Sequence, residues 1–96
     1  MKLFIFARFH AQPGREAEVE EALRDLLKQA RRDEGCLGIH AFQDIQDERL
    51  YLMHSRWRDE PAFERYVARA HVVRFIEKVE KLVDRPVDIT RAILAD

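Results

Sequence analysis

Residues 36–57, CLGIHAFQDIQDERLYLMHSRW, decide the fold. Two runs rich in apolar, aromatic and β-branched residues, Cys36 to Ile45 and Arg49 to Trp57, flank the polar triplet Gln46-Asp47-Glu48, which is the pattern of an antiparallel hairpin. Both runs carry apolar residues on both faces: Leu37, Ile39 and Ala41 against Phe42, then Leu50 and Leu52 against Tyr51, Met53 and Trp57. On the N-terminal side, Pro13-Gly14 opens a stretch in which Val19, Ala22, Leu23, Leu26, Leu27 and Ala30 recur at helical spacing. Arg15 to Arg32 therefore reads as an amphipathic helix with acids early and bases late, stopping at Gly35. On the C-terminal side, Asp59 is placed to cap a helix and Pro61 suits its first turn, where the missing N–H has no partner to lose.

That second helix carries two stripes. Phe63, Tyr66, Val67 and Ala70 form one; Val72, Phe75, Ile76, Val79, Leu82 and Val83 form the next. Extending the first stripe places Arg74 where an apolar residue is needed, so the phase slips near His71 and two helical pieces with a kink are predicted. Strands complete the ends. Leu3 to Phe9 alternates Leu3, Ile5, Ala7 and Phe9 with Phe4, Phe6, Arg8 and His10; Val87 to Leu94 follows Pro86. Strand, helix, strand, strand, helix, strand is the ferredoxin-like split βαββαβ unit, an α+β fold with a four-stranded antiparallel sheet. Residues 1–96 read as a single domain.

Two helices cover only one face of such a sheet, yet the strands are apolar on both. The second face is expected to pack against a second copy in a homodimer, the other possibility being a mixed, solvated face, since Arg8, His10 and Gln43 lie among those side chains. Leu, Ile, Val and Phe supply 28 of 96 residues, enough for a folded core, though at this length a thin one that a partner subunit helps to cover. The formal net charge is -1 and the signs alternate, so bulk electrostatics recruits neither nucleic acid nor an anionic membrane. The greasy N-terminal run is broken by Arg8 and His10, too short for a membrane span, and the expected location is cytoplasmic. Cys36 is the single cysteine and reads as a small buried side chain, and no CxxC or HExxH spacing is present. His40 and His54 lie on adjacent hairpin strands, with His10 the only obvious third donor; histidines scattered on a sheet face are the simpler reading.

Several stretches resemble the antibiotic biosynthesis monooxygenase family: Pro13-Gly14 leading into a charged helix, Arg31-Arg32-Asp33-Glu34-Gly35-Cys36-Leu37, Trp57 closing the third strand, then Phe63, Tyr66 and His71. The resemblance implies a dimeric α/β barrel and oxygenation of a small aromatic, quinol-like or polyketide-like compound without a cofactor. Departures are local. Glu34 fills the family's proline slot, Ser55 stands where many members carry Glu, and Tyr66 stands where quinol-oxidising members carry a first histidine, with His71 matching the second. In the heme-degrading branch an Asn, a Trp and a His occupy positions that here hold Ala7, Tyr66 and Ile76, which disfavours heme.

Cofactor-free oxygenation needs a dry cavity, an acceptor for the substrate's proton and donors that steady the anion. A cavity between helix kink and sheet, rimmed by Tyr66, His71 and Trp57, would meet those needs. His71 and Tyr66 are the expected catalytic residues, and Trp57, Phe63 and Ala7 the expected substrate-binding ones, with no metal. Each has a plainer alternative: His71 satisfying carbonyls freed by the kink, Tyr66 packing in the core, Trp57 anchoring a strand end. The rival function is a non-catalytic dimeric barrel that binds a small hydrophobic ligand.

Overall fold

The computed structural model describes residues 1–96. In chain order the elements are β1 (Leu3–His10), α1 (Glu16–Ala30), β2 (Cys36–Gln43), β3 (Leu50–Trp57), α2 (Glu60–Val67), α3 (Ala70–Glu80) and β4 (Asp88–Ala92). The strands form one antiparallel sheet in the order β2-β3-β1-β4, the ferredoxin-like arrangement expected from the sequence.

Register sorts the side chains. Leu3, Ile5, Ala7 and Phe9 of β1 pair with Trp57, Ser55, Met53 and Tyr51 of β3, and all face the helices. Phe6, Arg8, His54, Leu52, His40 and Phe42 share the opposite face. Helix α1 buries the six residues of its apolar stripe, Val19 through Ala30, on the first face. Gly14, at φ +84°, makes the turn before it, a backbone conformation that glycine adopts without steric cost.

The helical break falls two residues before the expected point. Asp59 caps α2 by accepting from the Ala62 N–H at 2.9 Å, Ala68 ends it, and Arg69 turns extended at ψ 145° before α3 begins. His71 is thus the second residue of α3. Other boundaries also move inward. β2 ends at Gln43, where its pairing with Tyr51 ends, and Ile45 is fully exposed in the loop; β4 stops at Ala92, leaving Ile93 and Leu94 exposed; and α1 is shorter than Arg15 to Arg32. In each case apolar or helix-forming residues run past the end of the regular element.

His10 fits neither the dimer-packed nor the solvated reading of the second face, because it is buried within its own chain. It is only 6% exposed, with Nδ1 2.8 Å from Asp84 Oδ1 and Nε2 2.8 Å from Asp47 Oδ2. The contacts tie the β2–β3 loop and the segment after α3 to the end of β1.

Candidate active site

Between the helix-facing side of the sheet and α3 lies a cavity of about 660 Å³, within the size range of small-molecule sites. Its floor is β1 and β3, with Ile5, Ala7, Met53, Ser55 and Trp57, and its roof is Val72, Phe75, Ile76 and Val79 of α3. Seventeen of its 22 lining residues are hydrophobic, so the walls it offers a ligand are mostly apolar. The segment from Val83 to Val87 borders the far end and brings the charged groups of Asp84 and Arg85, with Glu80 beside them. Unfilled space explains why Phe75 and Ile76, on the inward stripe, remain partly exposed.

Trp57, Phe63, Tyr66 and Ala7, all singled out from the sequence, line this one cavity. Trp57 is fully buried, with the Tyr66 ring 4.6 Å away and the Phe63 ring 5.5 Å away, the latter edge-on. Such aromatic pairs hold the wall in one geometry. Arg91, inward-facing on β4, sits 5.0 Å over the Phe63 ring and pairs with Glu60 and Glu64, clamping the edge strand to α2.

His71 is placed differently from the expected rim. It does not line the cavity but stands behind Tyr66, its Nε2 3.4 Å from the Tyr66 hydroxyl and the rings edge to face at 5.4 Å. The break between helices leaves Ala70 and His71 off the pocket while Val72 lines it, and the spacing alone does not give that direction. Burial pushes the Tyr66 phenol well above the usual range, with Asp33 adding to it, so Tyr66 is neutral at physiological pH. Burial, then the Arg69 and Arg74 guanidiniums, hold the His71 imidazole below its ordinary value, against an opposing pull from Asp33. The pair is thus a neutral phenol beside a neutral imidazole able to accept its proton.

Cys36 packs at the edge of this core, and burial raises its thiol pKa, which makes it a poor nucleophile. His40 and His54 are register partners on the other face of the sheet, His54 lying against Phe6 and Phe4, while His10 is held by its two aspartates. No histidine lines the cavity, and Ala7, Tyr66 and Ile76 all do. The sequence reading missed Ser55 as a wall residue. Its alternation with Trp57 was the available signal, because residues two apart on a strand share a face.

Fold and site together define a ferredoxin-like α+β domain with an apolar, aromatic-walled cavity between sheet and helices. A model of the antibiotic biosynthesis monooxygenase family matches residues 3–78, and the chain belongs to that family. It is 26% identical over 90 residues to the Bacillus subtilis protein named "Putative monooxygenase YcnE", covering 94% of this chain and 95% of that one. The solved structure of PA3566 from Pseudomonas aeruginosa is 33% identical with a TM-score of 0.90, covering 99% of this chain and 95% of that one. A mutant of SnoaB, a cofactor-independent oxygenase from Streptomyces nogalater, shares the fold at 17% identity with a TM-score of 0.89, covering 99% of this chain and 94% of that one.

Proposed function

We propose that this chain is a cofactor-independent monooxygenase of small aromatic, quinol-like or polyketide-like compounds. One observation carries the reading: in the wall of an apolar cavity, the Tyr66 hydroxyl lies 3.4 Å from the imidazole of His71. Tyr66 is held too firmly protonated to serve as a resident tyrosinate base. It works as a relay, its oxygen receiving the substrate's proton as its own proton passes to His71 Nε2. The substrate anion then gives its electrons to O2. For an aromatic methylene ketone of the anthrone type, the methylene becomes a second ketone; one oxygen atom is retained and the other leaves as water with the two hydrogens.

Oxygen uptake with a panel of anthrones and quinols tests this. Turnover in Tyr66→Phe and His71→Ala is expected to fall by about a hundredfold or more, the usual worth of a positioned proton acceptor. Unchanged turnover in both removes the assignment. Saturable binding without oxygen uptake by the unmodified protein leaves the ligand-binding barrel instead.

The same reading places the protein in the cytoplasm as a homodimer, built on the sheet face opposite the cavity. That face carries Phe6, Phe42 and Leu52, with Phe6 48% and Phe42 51% exposed. No helix is long and apolar enough to cross a membrane.

A further inference from the structure

Ser55 is a buried hydroxyl in an apolar wall. It is 2% exposed, sits between Ile5 of β1 and Ile39 of β3's other neighbour β2, and lines the cavity beside Ala7 and Met53. Its Oγ makes one hydrogen bond, accepting from Trp57 Nε1–H at 3.0 Å. The indole has no acceptor capacity, so it fixes Ser55 from the acceptor side and leaves the hydroxyl proton without a protein partner. Accepting one hydrogen bond makes a hydroxyl a better donor. Buried donors without acceptors are rare, because burial without a partner costs free energy. Trp57 itself is locked between Phe63 and Tyr66, so the Ser55 donor is preorganised.

We infer that Ser55 is a substrate-binding residue whose hydroxyl, held by the Trp57 indole, donates to a keto or phenolate oxygen on an otherwise apolar aromatic ring system. Resting on the cavity being the substrate site, this narrows the substrate class to aromatic ketones and phenols. It also supplies the fixed donor that steadies the oxygen once Tyr66 and His71 have taken a proton. Serine in this position selects an acceptor oxygen; a hydrocarbon of the same shape leaves the donor unpaired and is penalised.

The test uses 9-fluorenone and fluorene, rigid tricycles that differ in having a carbonyl or a methylene at one position, bound to the intact protein under nitrogen. Fluorenone is expected to bind about threefold to tenfold tighter, the worth of one hydrogen bond. Its C=O stretch in the complex is expected at lower wavenumber than in an apolar solvent. In Ser55→Ala the preference and the shift disappear, because fluorenone loses its donor and fluorene no longer leaves one unpaired; in Tyr66→Phe the shift remains. The inference is overturned by an unshifted carbonyl in the unmodified protein, by a shift that survives Ser55→Ala, or by no saturable binding of either probe. Should Ser55→Ala fold poorly, Ser55→Cys keeps the size with a weaker donor and is expected to reduce the shift; a shift left at full size in Ser55→Cys counts against the inference. Neither probe has to turn over, so a failure of the oxygen-uptake experiment leaves this result readable in its own right.

Discussion

Asp33 and Arg69 join the two breaks in the helical layer: Asp33 Oδ2 accepts from Arg69 Nε at 2.9 Å, while Asp33 Oδ1 accepts from the Gly35 N–H at 2.9 Å. The loop leaving α1 is thereby fastened to the junction of α2 and α3, two residues before His71. Because Arg69 lowers the His71 pKa and Asp33 raises it, this ion pair also sets when His71 is a free base.

The expected sign is definite. A base works in its neutral form, so oxygen uptake should fall as pH drops through the His71 pKa, which lies below the ordinary imidazole value of about 6.5. Arg69→Gln removes a neighbouring cation and frees the Asp33 carboxylate; both changes raise the His71 pKa, moving the acid limb to higher pH. Asp33→Asn moves it lower. NMR titration of His71 beside the pH–rate profile checks this, and an acid limb that ignores both substitutions rules His71 out as its source.

Gly35 shows how tightly the same loop packs against α2. A Cβ there would lie 2.8 Å from Ala62 Cβ, at the start of α2, where Ala62 is itself 3% exposed. Gly35→Ala is expected to cost about 1–3 kcal/mol from overpacking, measured by denaturant unfolding. Ala62→Gly in the same chain should recover part of that loss; a double variant no more stable than the single one would mean the clash is relieved elsewhere.

What was legible in the sequence follows the range over which its signals act. The α1 stripe and the alternation of β1 are local patterns, repeated several times, and both match the buried faces observed. Ala7, Trp57, Phe63 and Tyr66 were accessible for the same reason, as members of inward stripes that meet in one cavity. Ile45 and Leu94 misled because apolar residues carry no mark of where a partner strand ends. The His10 contacts span 37 and 74 residues, and the Asp33–Arg69 pair spans 36, distances over which periodicity says nothing.

The His10 bracket makes acid sensitivity measurable. Hydrogen bonding to His10 is the first cause holding both Asp47 and Asp84 below the usual carboxylate range. Carboxylates depressed in the folded state add stability above their unfolded pKa, about 4, and lose that contribution as pH falls through the folded value. Asp84→Asn is therefore expected to lower the Tm at pH 7, with the gap from the unmodified protein closing below about pH 4. A gap of constant size down to pH 2 would show that Asp84 acts through packing rather than charge.

A homodimer built on the sheet face away from the cavity is part of the proposed function and can be tested directly. Phe6 and Phe42 are about half exposed, and the two histidines paired across β2 and β3 lie between them. A helix-covered opposite face leaves this surface nothing within the chain to pack against, and an apolar patch of aromatic rings on one flat face suits a two-fold contact with its own copy. Sedimentation of the unmodified protein should give about twice the 11.4 kDa chain mass. Phe6→Glu with Phe42→Glu places like charges opposite each other in a two-fold contact, where their repulsion and desolvation are costly, and should give the single-chain mass. Val73→Glu, on the exposed side of α3, serves as the control and should leave the mass doubled. A doubled mass in the Phe6→Glu, Phe42→Glu chain would put the contact on another surface, and a single-chain mass for the unmodified protein at high concentration would mean that these rings face water.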